Sequence, residues 1–406
     1  FQGREEEKLG LLDQLVEMVD GMPQGRTFTR LPLGEMPLIG RQGLTTLLYD
    51  VLAHPSREDE YWRRVLCPLE RIRVPAFHIG GWYDLFVDST MRDFAGLRRE
   101  GGTEAARTHQ KALIGPWLHG PYNGLVGEVD FGLRASGLIL LPEEVQLRWF
   151  DYWLKGIDNG IVDEPPLSIF VMGDNCWRTE HEWPLARTQY TCYYLHSGGA
   201  ANSLHGDGSL SLERPSVEPV DTFVYDPRHP VPTRGGGLCC SPAALAAGAF
   251  DQRPIEARPD VLVYTSEPLA QDLEVTGPLS VDLWAATSAA DTDFTAKLVD
   301  LYPCGYARNV QDGIIRARYR EGVGRPAPVS PGEAYRYTID LGVTSNVFKA
   351  GHRIRVEISS SNFPRFDRNP NTGRLAGQGC DLRPAMQTIL HDAEHPSHVV
   401  LPVIPR

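Results

Sequence analysis

"VPAFHIGGWYD", residues 74 to 84, decides how the chain is read. A short apolar run enters two glycines and closes on an aspartate, the pattern of a buried strand that ends in a tight loop. The stretch that follows, "STMRDFAGLRREGG" (89–102), has helical apolar spacing, with Ser89 placed to cap its start and Gly101 to stop it. Then "QKALIGPWLHG" (110–120) repeats the first pattern and ends on His119, and "EEVQLRWFDYWLKGIDNG" (143–160) is a second helix closed by glycine. Strand, helix, strand, helix predicts a parallel sheet covered by helices. Such sheets place their sites in the loops at the carboxyl ends of the strands.

Working outward, residues 1–70 read as a helical segment. Leu9, Leu12, Leu15, Val16 and Val19 recur on one helix face, and "GLTTLLYDVLAHP" (43–55) carries the same period up to Pro55. Residues 71–160 form the α/β part. After Val162 the texture becomes β-rich: "LSIFVMG", "QYTCYYLHS", "DTFVYD", "VLVYTS", "LSVDLWAAT", "FTAKLVDLY", "GIIRARYR", "YRYTIDLG" and "HRIRVEISSS" are separated by Gly, Pro and Asp turns. That spacing predicts a jelly-roll β-sandwich over 161–406. The fold class is therefore α/β followed by all-β.

Bulk composition excludes several functions. The chain has 406 residues, 42% hydrophobic and 23% charged, enough for a sizeable core. A formal charge of −12 leaves no broad basic surface, which argues against nucleic acid and anionic membranes as partners. "GLILLP" (137–142) and "VVLPVI" (399–404) fall far short of the ~20 apolar residues that span a bilayer. Seven cysteines without CxxC spacing predict reduced thiols and a cytoplasmic protein. The adjacent Cys239 and Cys240 read as small buried hydrophobes, since neighbours seldom bridge each other.

Asp84 and His119 are the candidate chemistry. One intervening helix sets their strands side by side, so the Asp84 carboxylate can hold an imidazole N–H, fix its tautomer and stabilise the imidazolium. Asp before His is the order found in α/β-hydrolases, in which a serine precedes both. No serine or cysteine has the flanking glycines of a nucleophile elbow; Ser197, with Gly199 after it but Leu195 before, comes nearest.

"GGWYDLF" (80–86), "GPWLHG" (115–120), "RWFDYWLKGIDNG" (148–160), "ADTDFTAKLVD" (290–300), "DGIIRARYRE" (312–321) and "SNVFKAGHRIRVEISSSNFPRFDRNPNTG" (345–373) together resemble the cocaine esterase and X-prolyl dipeptidyl peptidase-like serine hydrolases, nearest the cocaine esterase branch. The resemblance covers essentially the whole chain. It implies an α/β-hydrolase domain with a helical cap followed by a jelly roll, with Asp84 and His119 as triad acid and base, acting on an ester or amide through an acyl-enzyme. The family's Gly-x-Ser-Tyr-x-Gly elbow and its oxyanion tyrosine are missing from these residues. The chain is thus expected to be the C-terminal part of a longer hydrolase, inactive alone, with the serine on an N-terminal segment supplied by a companion chain or removed after folding. The strand before Asp84 should then show an open sheet edge.

Trp82, Phe86 and Trp117 flank the acid and base as candidates for an apolar acyl pocket, with core packing as the competing reading for the two tryptophans. By resemblance, Leu238, Cys239 and Cys240 in "GGGLCC" close its other side. Leu85, Phe86 and Val87 follow Asp84 where α-amino acid ester hydrolases carry acids for a substrate ammonium. Those enzymes and the X-prolyl dipeptidyl peptidases are therefore the second choice. A carbohydrate-binding jelly roll is the non-enzyme alternative. No cofactor or metal is expected: His391, His395 and His398 in "HDAEHPSH" read as a solvated loop, "DRNPNTG" lacks the glutamate of a calcium loop, and "GGG" at 235 has no following Lys-Ser.

Overall fold

Strands β1 (Phe77–Tyr83) and β2 (Lys111–Leu118) lie side by side and parallel, with Phe77 opposite Lys111 and Gly81 opposite Gly115. The computed structural model describes residues 16, 27–33, 46–56, 59–239, 245–375 and 377–406. Of the helix expected near residues 5–20, only Val16 falls among them. Helices α1 (Thr46–Ala53) and α2 (Glu60–Arg63) precede the sheet, and α1 stops before Pro55 as the proline requires. Between β1 and β2 run α3 (Val87–Glu100) and α4 (Glu104–Thr108). Val87, Met91, Phe94 and Leu97 form the buried face of α3 against the sheet. This helix starts two residues before the expected cap. Ser89 sits in its first turn and donates to the Phe86 carbonyl at 2.9 Å, while the Asp84 carboxylate accepts the Phe86 N–H at 2.8 Å.

A short ribbon, β3 (Leu125–Val126) with β4 (Val129–Asp130), and helices α5 (Gly137–Leu140) and α6 (Pro142–Lys155) follow β2. β5 (Leu167–Val171) then pairs parallel to β2, and β6 (Cys176–Glu180) antiparallel to β5, giving the order β1-β2-β5-β6. The segment "LSIFVMG" thus belongs to this first sheet rather than to the β-rich region. Strand β5 is buried on both faces, so its continuous apolar run carries no alternation that would assign it to either sheet. β1 is the outer strand on the far side, and its second edge has no ladder partner among the described residues.

The remaining strands are β7 (Gln189–His196), β8 (Ser209–Ser211), β9 (Asp221–Tyr225), β10 (Leu262–Ser266), β11 (Leu273–Thr287), β12 (Asp293–Leu301), β13 (Ala307–Arg316), β14 (Tyr335–Phe348), β15 (Arg353–Ser359), β16 (Ala385–Leu390) and β17 (His398–Ile404). They form an eleven-stranded mixed sheet in the order β13-β12-β15-β10-β8-β7-β17-β11-β16-β9, with β14 on the other edge of β11. The sheet encloses one core in which Tyr337, Ile339 and Leu341 of β14 meet Leu279, Val281 and Leu283 of β11 and Ile354, Val356 and Ile358 of β15. Strict alternation produces this face: on β14, Arg336, Thr338 and Asp340 point outward between the buried residues. "GIIRARYR" is a partial match, since β13 ends at Arg316 and Ala317–Tyr319 form a 3₁₀ turn. Val343 and Val347 of β14 also complete the core of the first sheet, so the two regions share packed residues. No described helix is long and apolar enough to cross a membrane.

Two expectations are corrected here. Cys239 is disulfide-bonded rather than a free buried thiol, while Cys67, Cys176, Cys192, Cys304 and Cys380 are free. His391 is not in a solvated loop: its side chain is fully buried, with Nδ1 3.1 Å from Glu218 Oε2 and Nε2 2.9 Å from Asp221 Oδ2. Only the fold brings those carboxylates, far away in sequence, to the ring. Ser197 joins the cluster, donating to Asp221 at 2.7 Å, so it is engaged by a carboxylate rather than activated as a nucleophile. No cluster of described residues has the form of a metal site.

Burial opposes the charged form of His391, but the hydrogen bonds and charges of Asp221 and Glu218 outweigh it and hold the pKa above its ordinary value. A raised native pKa adds stability that is complete below the unfolded value near ~6.5 and is lost as pH rises through the native one. His391→Asn should therefore cost about 3 kcal/mol at pH 6, by urea unfolding, because it removes the cation that Asp221 and Glu218 share. The gap to the parent should narrow towards pH 9; a constant gap would refute the charge assignment.

Candidate active site

The end of β1 approaches β2 more closely than side chains permit. A Cβ at Gly81 would lie 2.1 Å from the Trp117 carbonyl oxygen, so glycine is the residue that lets the two backbones meet. Just beyond, the register slips between Gly81 and Tyr83, with Tyr83 opposite Leu118. Such irregularities redirect side chains at sheet ends. Here the loop residues after the two strands, Asp84 and His119, come together.

His119 Nδ1 lies 3.1 Å from Asp84 Oδ2. A carboxylate only accepts, so Nδ1 carries the proton and Nε2 is the basic nitrogen. Nε2 has no hydrogen-bond partner among the described residues, and the imidazole is 44% exposed against 10% for the aspartate side chain. The other carboxylate oxygen accepts the Phe86 N–H at 2.8 Å, at the entry to α3, where the positive end of the helix favours an anion. Asp84 is thus held at both oxygens. The Phe86 ring stands edge-on to the imidazole at 5.1 Å and is half exposed, so it flanks the basic nitrogen's surroundings as a pocket wall would. This arrangement can remove a proton from a hydroxyl and return it to a leaving group.

Trp82 and Trp117 are corrected as pocket residues: each is 1% exposed. The Trp82 indole N–H donates to the Phe170 carbonyl at 2.7 Å, and the Trp117 indole N–H to Ala135 at 2.6 Å. Their rings pack on Trp183, and on Tyr122 and Trp177, respectively. Both are core struts that brace the strand tips, because the ends of these parallel strands are buried on both faces. Leu238 is buried and Cys239 half-buried, on a loop that does reach the acid: a Cβ at Gly237 would lie 3.1 Å from the Asp84 carbonyl oxygen. Cys240 lies outside the described residues.

Sequence reasoning missed three residues around Asp84. Tyr83 donates its hydroxyl to the Asn309 carbonyl at 2.8 Å, and the Gln311 amide donates to the Trp82 carbonyl at 3.0 Å. The trace in the sequence is "NVQD" (309–312), three polar residues in the middle of a strand.

Residues 159–400 match the family described as X-Pro dipeptidyl-peptidase C-terminal non-catalytic domain, and residues 27–121 match X-Pro dipeptidyl-peptidase (S15 family). A cocaine esterase of Rhodococcus sp. is 41% identical over 92% of this chain and 64% of its own length. Among solved structures, an aminopeptidase of a marine sediment Thaumarchaeota archaeon superposes with a TM-score of 0.77 at 27% identity, over 88% of this chain and 60% of that one. An α-amino acid ester hydrolase gives 0.74 at 26% identity over the same shares. The chain spans less than two thirds of the length of each of these relatives.

Replacing Gly81 by alanine should destabilise the chain by about 3 kcal/mol, as overpacking against fixed backbone does. Urea unfolding measures it, and a neutral effect would contradict the close approach of the strands.

Proposed function

The chain belongs to the cocaine esterase and X-Pro dipeptidyl-peptidase family of serine hydrolases, and from that membership we propose that it carries the acid and base of an acyl-transfer enzyme. Asp84 orients His119, and His119 Nε2 takes the proton of a serine as that serine attacks an ester or amide carbonyl. His119 then gives the proton to the leaving group, and water repeats the cycle on the acyl-enzyme. The observation that carries this reading is the Asp84–His119 hydrogen bond at 3.1 Å, with the far nitrogen unpartnered among the described residues and the ring open to solvent.

The serine and the oxyanion donors are proposed to come from an N-terminal hydrolase segment outside these 406 residues, on the same polypeptide or a companion chain. Two features support this. β1 is an outer parallel strand, and parallel strands are normally flanked on both sides. Helix α6 exposes Leu147, Phe150 and Leu154 in one stripe, an apolar face with the spacing of a packing surface. In this reading α1 and α2 belong to a cap over the site, the eleven-stranded region is a jelly roll, and these residues alone do not turn over substrate.

An apolar or aromatic acyl group is the favoured substrate feature. Leu85 and Phe86 are the exposed side chains beside the acid, and neither offers a carboxylate to a substrate ammonium. The relatives that act on amino acid esters and peptides make that specificity the second choice. Aryl esters hydrolysed faster than X-Pro anilides would support the first.

A fluorophosphonate should label a serine that is not in these residues, in material that hydrolyses aryl esters. Asp84→Asn should lower kcat by about 10⁴ there with KM little changed. Intact-mass spectrometry of active material showing only a 45.1 kDa species would overturn the assignment of the nucleophile.

A further inference from the structure

Resting on the acid–base reading above, we propose that Gln311, on β13 of the β-rich region, is a positioning residue for the catalytic pair, fixing the strand end from which Asp84 projects.

The last residues of β1 need an anchor that their own sheet does not supply. The ladder with β2 skips Trp82, and Tyr83 resumes it one residue out of step. The carbonyl of Trp82 is instead taken by Gln311 Nε2 at 3.0 Å, and the same amide donates to the Val343 carbonyl of β14 at 2.7 Å. A primary amide has two N–H groups, so both bonds form together. Tyr83 is tied to the same strand through its hydroxyl and the Asn309 carbonyl, at 2.8 Å. Burial pushes the Tyr83 phenol up to about 12, so it remains a neutral donor at neutral pH. Both residues immediately before Asp84 are therefore fixed to β13.

β13 is shaped for this contact. Opposite β12 its register shifts, with Leu298 facing Gln311 and Val299 facing Asn309. The extra residue, Val310, is buried in the β-rich core. A bulge of this kind turns its flanking residues towards a site. Asp312, the residue after Gln311, accepts from Asn362 at 2.6 Å and pairs with Arg365, whose Nη1 would lie 2.9 Å from a Cβ at Gly236. The 235–237 loop then passes against the Asp84 backbone at Gly237. One strand of the β-rich region thus holds the two residues before the acid directly, and through Asp312 and Arg365 it borders the loop that runs along the Asp84 backbone. Misplacing a catalytic group by ~1 Å costs about 10² in rate, so such a grip has a catalytic consequence without any contact with substrate.

Long-range 15N–1H spectra of the chain report which nitrogen of neutral His119 carries its proton. Asp84→Asn should shift the balance from Nδ1–H towards Nε2–H, and Gln311→Leu should move it in the same direction by about twofold. Tyr83→Phe, which removes one hydroxyl and no carbon, should give a smaller change of the same sign and serves if Gln311→Leu does not fold. Gln387→Leu is the control: that amide is also buried in the β-rich region and donates to Thr292 at 2.8 Å. It should lower stability and leave His119 as it was. An unchanged proton balance in folded Gln311→Leu, or in Tyr83→Phe where that variant stands in, overturns the proposal, as does an equal change in Gln387→Leu. No change in Asp84→Asn overturns the acid–base reading itself.

Discussion

A carboxylate and an imidazole within hydrogen-bonding range demand that two strand tips be held to a fraction of an ångström, and the surroundings of Asp84 and His119 are organised by that demand. Gly81 removes the side chain that would keep the backbones apart, and the register slip beyond it redirects the following residues. Trp82 and Trp117 lock the tips from inside through indole N–H bonds to Phe170 and Ala135. Buried indoles need such acceptors, so each tryptophan has essentially one position. The loop residues inherit that precision.

The β-rich region contributes rigidity by a different means. Its strands bury ion pairs between residues directly opposite in register: Arg308–Asp300 and Arg316–Asp293 across β13 and β12, and Lys297–Glu357 across β12 and β15. Buried pairs add little net stability, because desolvation offsets attraction, but a mispaired strand would leave charges unmatched. They therefore act against slips of register. Glu256 shows how closely the charges are balanced: burial and the nearby Glu357 push its carboxyl up to about 8 despite Arg355. The rigid surface this creates is what β13 presents to the end of β1.

Much of this was legible in the chain itself. The apolar runs that stop at Asp84 and His119 announced two strands with polar ends, and the helix between them required the strands to be parallel. β-rich segments bounded by Gly, Pro and Asp turns named most of the later strands. That signal does not say which sheet a strand joins, and the apolar, doubly buried β5 belongs to the first sheet instead. The helix start at Val87 is not legible in the sequence, because Phe86 at the N-cap position offers no side-chain cap.

The sequence by itself determined the two strands that end at Asp84 and His119 and the meeting of those side chains, because strand period, helix period and residue chemistry are local properties. Tertiary structure alone decided that Trp82 and Trp117 are struts and not pocket walls, that His391 is clasped between Glu218 and Asp221, and that Gln311 reaches the carbonyl beside the acid. Each of those outcomes depends on a partner distant in sequence. Burial and hydrogen bonding are set by which segments meet, and no local pattern encodes that meeting.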